Sequence, residues 1–457
     1  MHKPLHIVIL AAGEGTRMKS MLPKVLHRIG GRPMLIHLLE TASSIDPAAI
    51  HVVVGSGSDQ VRLACSEFQV NWVIQLERRG TGHAVAQAMP SIPDDARVMV
   101  LLGDHPLIPV SVLRELTAGR LVPLTVLTME LAKPRGYGRI ERDRIGRIAG
   151  IVEDRDATPA QRSIKEVNTG IILSEALELR RWLEQLGCDN SKQEYYLTDI
   201  FAMARSEGKE IHGVLAPDPL DLQGANDRRQ MAVLEQRYRQ RAAVRLMEDG
   251  VQIIDPARID VRGHVRAGQD VCIDINVVLE GNVELGDRVS LGPGCLLKDC
   301  ELAAGTVVHA YSVLEGVRTK GACEIGPFAR LRPGTELSQG SRIGNFVEVK
   351  NSRLGENSKA NHLSYVGDAE VGDRVNIGAG TITCNYDGAN KHPTIIEDDV
   401  FIGSNTELIA PVTIARGATI GAGSTISQDA PAAALTLSRV RQTTVPGWKR
   451  PQKKEKP

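Results

Sequence analysis

Residues 396–426 read IEDDVFIGSNTELIAPVTIARGATIGAGSTI, and every sixth position is a branched aliphatic: Ile396, Ile402, Leu408, Ile414, Ile420 and Ile426. Small residues follow several of them, as at Gly403, Ala415, Gly421 and Ser427. The beat runs backwards through Ile325, Leu331, Leu337, Ile343 and Val349, through Leu302, Val308 and Leu314, and through Leu285, Leu291 and Leu297. Before these it is read through Ile253, Ile259, Val265, Val271, Val277 and Val283. A period of six suits neither a 3.6-residue helix nor a hairpin meander. It is the period of a parallel β-helix, in which each hexad forms one flat face and each coil stacks on the last.

The chain of 457 residues exceeds one ordinary core, so more than one domain is expected. Lys+Arg and Asp+Glu both number 55, which argues against a general polyanion-binding surface and hence against a nucleic-acid partner. An aromatic content of 3% fits a core built from repeated Val, Ile and Leu. Seven cysteines without a C-x-x-C pair argue against a disulfide framework or zinc ribbon, and suit a cytoplasmic protein. The N-terminal apolar run, Ile7 to Ala12, is too short for a membrane span.

Leu5–Leu10 reads as a buried parallel strand leading into Ala11-Ala12-Gly13-Glu14-Gly15-Thr16-Arg17-Met18. Further strands are expected at 51–55, 72–75, 97–104, 124–129 and 170–173, with helices at 33–42, 84–89 and 198–204. This alternation implies a parallel sheet covered on both faces, with ligands at the carboxyl ends of its strands. The glycine loop lacks the third glycine of the dinucleotide fingerprint and the Gly-Lys-Ser/Thr of the P-loop. Glycine-rich backbone followed by Arg17 and Lys24 fits a nucleotide or sugar phosphate, with a purely structural turn as the alternative. From 227 to 249 the chain is charged and helix-prone, with Met231, Leu234, Tyr238, Ala242 and Leu246 on one stripe and Gly250 as terminator. Lys449 to Pro457 reads as a basic, solvated tail.

The run L-A-A-G-x-G-T-R-M with Pro23-Lys24-Val25-Leu26 resembles the signature of the sugar nucleotidyltransferases. The match continues through Gln75, Gly80-Thr81-Gly82-His83-Ala84, Gly103-Asp104-His105-Pro106-Leu107, Gly136-Tyr137-Gly138-Arg139-Ile140, Ile151-Val152-Glu153, Asn168-Thr169-Gly170, Glu194 to Asp199, and Asn226. Joined to a long hexad solenoid, it is similar over nearly its whole length to the bacterial bifunctional N-acetylglucosamine-1-phosphate uridyltransferases and glucosamine-1-phosphate acetyltransferases. The resemblance implies an α/β Rossmann-like nucleotidyltransferase domain (1–228), a linker helix (229–249) and a left-handed parallel β-helix of hexapeptide repeats carrying acetyltransferase activity (250–457). The product, UDP-N-acetylglucosamine, would supply peptidoglycan and lipopolysaccharide synthesis.

For uridylyl transfer from UTP to N-acetylglucosamine 1-phosphate, the resemblance implies Mg²⁺ held by Asp104 and Asn226, a hard cation needing few protein oxygens. Arg17 and Lys24 would hold phosphates as catalytic cations. Leu10, Ala11, Ala12 and Gly13 with Gln75, Gly80 and Thr81 would hold the uridine end, Leu102 and Gly103 would line the rim, and Gly138, Glu153, Asn168 and Thr198 would bind the sugar. Each of these alone reads more readily as a structural turn or satisfied surface polar group; their order and spacing carry the inference. Leu102 departs from the Tyr often found before Gly-Asp in the family, and Glu14 is an acid expected to face solvent.

In the solenoid the beat is read as failing around Asn351–Tyr365 and again at Thr383–Pro393, and breaks in a repeat are where ligands bind. His362 stands between them. By resemblance it is the base for acetyl transfer to an amine, a task suited to imidazole; alone it would read as a turn residue. Arg332, Lys350, Tyr365, Asn376, Asn385 and Tyr386 would grip glucosamine 1-phosphate, and Glu348 would orient His362 or the substrate. Ala379, Asn385, Tyr386, Ser404, Ala422 and Arg439 would contact acetyl-CoA, with Lys391 nearby. Cys384 is set aside as a nucleophile, because direct transfer needs no acyl-enzyme. The resemblance implies a homotrimer with the cofactor between subunits. Two other readings remain open: a uridyltransferase with a merely scaffolding solenoid, opposed by His362, Asn385 and Lys391, and a non-catalytic subunit, opposed by Arg17, Lys24, Asp104 and Asn226.

Overall fold

The structure, a computed structural model, describes residues 3–55 and 58–453; the end of the basic tail, 454–457, lies outside the described residues. The chain divides into two compact units, Met1–Arg241 and Ala242–Pro457.

In the first unit the buried run Leu5–Leu10 forms a central strand, parallel to Arg97–Leu102 on one side and Ala49–Gly55 on the other. Asn71–Gln75 extends the parallel set beyond Ala49–Gly55. The carboxyl ends of all four strands therefore share one rim, and the glycine loop, Gln75 and the Gly103-Asp104 turn lie on it. Helices Met34–Ser43 and Thr81–Ala88 fall where the sequence expects them, within three residues. One expectation is corrected: the strand around 170–173 is longer, Glu166–Glu175, and runs antiparallel to both neighbours, so the sheet is mixed. It enters through the hairpin of Arg139–Arg142 and Ile148–Val152 rather than through a crossover helix, so the right-handed parallel connection does not apply. Its register shifts between Asn168 and Ile172, where Gly170 adopts φ +82°.

At the opposite end of the central strand, His6 and His51 are buried and stacked, with His6 Nδ1 3.1 Å from His51 Nε2. Burial pushes His51 down to about 4 and also lowers His6, where the pull of Asp95 is the weaker effect. A histidine lowered in the folded state stabilises fully above its unfolded value near 6.5 and progressively less as pH falls towards 4, because only the unfolded chain takes up the proton in that window. Melting of the first unit is expected to lose about 3 kcal/mol of stability from pH 7 to pH 4 through His51. A His51→Gln variant with an equally steep acid dependence would contradict this.

The helix Arg228–Glu248 begins at a cap in which Asp227 Oδ1 accepts from the N–H groups of Arg229 and Gln230, both at 2.9 Å. Gln230 Oε1 accepts from the N–H of Asn226 at 2.6 Å, so the cap fixes the backbone of the residue just before the helix. Leu234, Met231 and Tyr238 pack with Met18, Met34 and Leu107. After the helix Gly250 takes φ +97°, as its terminating role requires.

The second unit is a parallel β-helix of the left-handed hexad type. Val308 pairs with Ile325 and Ile325 with Ile343, so one coil takes seventeen or eighteen residues, three hexads. One face is an eleven-stranded parallel sheet from Gln252–Ile253 to Leu435–Thr436, and the two arms of a sixteen-stranded sheet make the other faces. All six aliphatics from Ile396 to Ile426 are buried in one core with those from Leu285 to Val349. The beat read through Ile259, Val271, Val277 and Val283 belongs to a second inward position. Val283 pairs with Cys300, two residues ahead of the Leu285–Leu302 pair. That corner position is later filled by small residues (Cys323, Ser341, Ser358, Thr381), all buried. The cysteines there are free thiols, as expected.

The first expected break is also corrected. Leu354, Ala360 and Val366 keep the core through Asn351–Tyr365. The step from Val349 to Leu354 is five residues, so a count in strict sixes loses phase in a seventeen-residue coil that is structurally regular. The second break is real: Ile377 pairs with Ile402, twenty-five residues on. The extra length is the loop at 385–393, pinched by a Tyr386–Lys391 bridge.

Candidate functional site

At the rim of the first unit, Gly15 takes φ +65° in a turn against Lys24, whose Cβ would lie 2.7 Å from any side chain placed there. The turn brings Arg17 and Lys24 to the same place. Lys24 Nζ pairs with Asp104 Oδ2 and donates to Asn226 Oδ1 at 2.8 Å, and Arg17 donates to the same Asn226 oxygen at 2.9 Å. Asp104 follows the strand Arg97–Leu102, and its carbonyl accepts from Ala225 N–H at 3.1 Å, tying the Asp104 turn to the Asn226 loop. Burial alone would raise the Asp104 pKa, but His105, and then the charge and hydrogen bond of Lys24, hold the carboxyl below its usual range. Burial drives His105 itself towards the neutral form, leaving Lys24 as the standing cation.

Two hard oxygens, one carboxylate and one amide, thus converge on one positive charge. That donor set fits a small divalent cation carrying most of its shell as water and phosphate oxygen. Among the described residues no cluster of three or more His, Cys, Asp or Glu could hold a metal, so a metal here would depend on its substrate for further ligands.

Leu10 and Gly103 are joined by Gly103 N–H to Leu10 carbonyl at 2.9 Å, and Ala11 N–H bonds Val53. Ala12 is half-buried and Gly13 exposed, with open space where a Cβ would stand. Thr81 Oγ1 accepts from Leu197 N–H at 3.1 Å, while Gln75 is buried and contacts Gly80 and His83. Glu14 is exposed as expected, yet its carboxylate pairs with Arg78, a partner sequence reasoning missed. Leu102 packs on the backbone of Gly170: its Cδ1 is 2.6 Å from where a Cβ of Gly170 would lie.

The four residues expected at the sugar end form a second group. A side chain at Gly138 would stand 3.6 Å from Glu153 Oε1 and 3.7 Å from Asn168 Cβ. Thr198 Oγ1 donates to Glu153 Oε1 at 3.1 Å. Burial pushes the Glu153 carboxyl up, with the Thr198 hydrogen bond opposing it. A shielded carboxylate beside amide and hydroxyl groups can accept from the hydroxyls or amide N–H of a sugar.

In the second unit, His362 closes the strand Lys359–His362 on an exposed edge of a regular coil, in register with Asn345 of the preceding coil. Asn345 Oδ1 lies 3.0 Å from His362 Nδ1. An amide oxygen only accepts, so Nδ1 carries the proton and Nε2 keeps its lone pair outward, the tautomer a base needs. The Glu348 carboxylate pairs with Arg332 at 3.0 Å, one of the residues expected to grip the sugar phosphate. Asn345 lies one coil earlier than His362, so the seventeen-residue period was the signal that could have found it.

The same column continues below His362. Ala360, Ile377, Ile402 and Ile420 pair in successive coils, so the residues two further on, His362, Ala379, Ser404 and Ala422, lie along one edge. Arg439 reaches the end of this track, its guanidinium 3.7 Å from where a Cβ of Gly421 would stand.

On the adjacent face Lys350, Tyr365 and Asn385 meet around Asp368, which sequence reasoning also missed. Asp368 accepts from Asn351 at 2.7 Å and from Asn385, lies 3.9 Å from Lys350 Nζ, and Asn385 also reaches Tyr365 Oη at 3.4 Å. Burial would raise the Asp368 pKa; the two amides and the lysines bring it below the ordinary value. Lys350 beside it pushes the Lys391 ammonium down. Two crowded cations favour an added anion. Tyr386 is exposed in the inserted loop and donates to Gly388 carbonyl. Asn376 does not join this group: it sits on the eleven-stranded face, paired with Lys359 and Phe401. Burial pushes the Cys384 thiol up, away from thiolate, which agrees with setting it aside as a nucleophile.

Comparison with known proteins matches residues 7–130 to the MobA-like NTP transferase domain and residues 393–428 to the bacterial transferase hexapeptide of six repeats. The chain is 53% identical over 451 residues to the Bifunctional protein GlmU of Alkalilimnicola ehrlichii, covering 99% of this chain and 97% of the relative. It is 54% identical over 452 residues to that of Xylella fastidiosa (99% of each) and 54% identical over 457 residues to that of Stenotrophomonas maltophilia (99% and 100%).

Proposed function

Since the chain belongs to the bifunctional GlmU proteins, we propose that its two transferase reactions are carried out by the two side-chain groups described above, one in each unit. The protein is a bifunctional enzyme of UDP-N-acetylglucosamine synthesis. It transfers acetyl from acetyl-CoA to glucosamine 1-phosphate and uridylyl from UTP to N-acetylglucosamine 1-phosphate, releasing pyrophosphate.

The observation that carries the first assignment is the single ammonium of Lys24 shared by Asp104 and Asn226. Asp104 and Asn226 would hold Mg²⁺, which would supply screening of the phosphate charge. Lys24 and Arg17, released from those partners, hold phosphate oxygens of the two substrates. Gln75, Gly80 and Thr81 bind the base, with Leu10 to Gly13 and Leu102–Gly103 along the nucleotide. Gly138, Glu153, Asn168 and Thr198 bind the N-acetylglucosamine moiety. Positioning and charge neutralisation supply the rate, without a covalent intermediate. Residues 1–228 carry this activity, 229–249 the link and 250–457 the acetyltransferase.

For acetyl transfer, His362 Nε2 takes the proton from the attacking amine while Asn345 holds the imidazole. Ala379, Ser404 and Ala422 give a shallow track along which acetyl-CoA lies, ending at Arg439. Arg332, Lys350 and Lys391 hold the sugar phosphate, with Tyr365, Asn385 and Tyr386 beside it. Incubation with glucosamine 1-phosphate, acetyl-CoA, UTP and Mg²⁺ should yield UDP-N-acetylglucosamine by mass. Pyrophosphate formation that survives EDTA would remove the metal from this account.

The protein acts in the cytoplasm as a homotrimer built through the β-helix. Among the described residues no helix is long and apolar enough to cross a membrane. Two features support a trimer. Asn376 lies on a different face from Lys350 and Tyr365, so a site that needs all three draws them from two subunits. Tyr311, Phe328, Phe346 and Leu363 also form a column beside Asn345 and His362, exposed by 56%, 48%, 57% and 64%. The three rings stack at 5.3 and 5.4 Å between centroids. All four stand at the same corner of successive coils, with positive φ. Phe346→Asp is expected to give monomers by sedimentation, with acetyl transfer lost and uridylyl transfer kept. A trimer of normal acetyl activity would exclude this face as the interface.

A further inference from the structure

His83 has no role in the account so far, yet it holds the residue assigned to the nucleobase. Gln75 ends the strand Asn71–Gln75 and is buried. Its amide Nε2 lies 3.3 Å from the carbonyl of Gly80 and 2.9 Å from His83 Nδ1. A carbonyl oxygen can only accept, so the atom facing Gly80 must be the amide nitrogen. Its second hydrogen then points at His83 Nδ1, which must be unprotonated to accept it. The imidazole proton is thereby placed on Nε2, beside the amide of Gln87 at 3.3 Å. The ring cannot accept at both nitrogens, and the shorter contact is the one to Gln75. The Gln87 amide nitrogen donates to the His83 carbonyl at 3.3 Å, so that amide is held by the backbone rather than by the ring. His83 is further steadied by the ring of Tyr195, stacked with centroids 6.3 Å apart.

With both amide hydrogens committed, Gln75 has only its oxygen to offer a ligand. Among the described residues no donor reaches that oxygen. A fixed acceptor complements a pyrimidine edge that donates at N3, and uracil carries N3–H. Cytosine presents a lone pair at N3, which would face the amide oxygen unpaired. We propose that His83 is a specificity-determining positioning residue, whose bare Nδ1 locks the Gln75 amide with its oxygen towards the base and so selects uridine over cytidine nucleotides. This rests on the reading of Gln75 as a base-binding residue. His83 acts through Gln75 and touches no reacting atom.

The test compares kcat/KM for UTP and CTP with N-acetylglucosamine 1-phosphate on the full-length chain. The ratio is measured within one sample, so a partly unfolded preparation leaves it unchanged. His83→Leu removes the acceptor, frees the amide to turn, and is expected to lower the UTP:CTP ratio by about tenfold or more. His83→Asn places an amide oxygen where Nδ1 stood and should restore the ratio to within about threefold of wild type. Gln75→Leu should lower it at least as far as His83→Leu. If Gln75→Leu lowers the ratio and His83→Leu leaves it at the wild-type value, the lock is refuted while the base-binding role of Gln75 stands. If Gln75→Leu leaves the ratio unchanged, Gln75 does not read the base and both fall. If His83→Asn behaves as His83→Leu, the effect is bulk rather than the acceptor, and the proposal is overturned.

Discussion

Asp104→Ala is expected to lower uridylyl transfer by about 10³-fold or more, the several kcal/mol a metal clamp supplies to phosphoryl chemistry, while acetyl transfer stays at the wild-type rate. Among the described residues Asp104 is the one carboxylate paired with Lys24, and Asn226 alone is a neutral ligand. Without it the cation site loses its charge and the phosphates lose their screening. The substitution also strips a largely shielded lysine of its counter-ion, so some loss of stability in the first unit is expected. Asp104→Asn separates the two effects, since it keeps the volume and a hydrogen-bond acceptor for Lys24 but not the charge. If Asp104→Asn folds with a normal melting transition and still releases pyrophosphate at the usual rate and Mg²⁺ concentration, Asp104 is not a metal ligand.

The second large effect is at His362. His362→Ala should cost acetyl transfer on the order of 10²–10⁴-fold, the range of a positioned general base, with uridylyl transfer and melting unchanged. The side chain is exposed at the edge of its coil and outside the aliphatic core, so its removal opens no cavity. Asn345→Ala tests the tautomer argument separately. Losing the acceptor at Nδ1 lets the imidazole turn or shift its proton to Nε2, so a smaller fall, still confined to acetyl transfer, is expected. Near-wild-type acetyl transfer in His362→Ala would move the base elsewhere.

The fold was legible where chemistry repeats. Six aliphatics at a period of six specify a solenoid, because no other regular structure buries every sixth residue. What the period did not give was phase. Seventeen-residue coils arise when one hexad loses a residue, and a reader counting in sixes then sees a break at Asn351–Tyr365 where Leu354 and Ala360 continue the core. The same arithmetic hid the second inward position, where Val271 and Val277 stand for the later Ser and Thr. In the first unit most of the parallel strands were legible as short apolar runs, as at Leu5–Leu10 and Arg97–Leu102. The direction of Glu166–Glu175 was not, since an antiparallel strand buried on both faces reads the same as a parallel one.

The site residues divide along the same line. Arg17, Lys24, Asp104 and Asn226 lie in motifs far apart in sequence and meet through hydrogen bonds. Asp368 and Asn345 were missed because each is an ordinary corner residue by sequence; only the stacking of coils sets Asp368 between Lys350 and Asn385, and Asn345 against His362. Asn376 marks the opposite case, a residue grouped by resemblance with Lys350 and Tyr365 that a single chain keeps on another face.

The central claim is that one polypeptide supplies the residues of two independent sites acting in succession, and the most direct test mixes two broken enzymes. Asp104→Ala and His362→Ala are each incubated with glucosamine 1-phosphate, acetyl-CoA, UTP and Mg²⁺, alone and together, and UDP-N-acetylglucosamine is measured by mass. The account predicts that Asp104→Ala alone accumulates N-acetylglucosamine 1-phosphate, that His362→Ala alone forms almost no product, and that the mixture restores UDP-N-acetylglucosamine. Product from either variant alone at the wild-type rate, or a mixture no better than its parts, would contradict it.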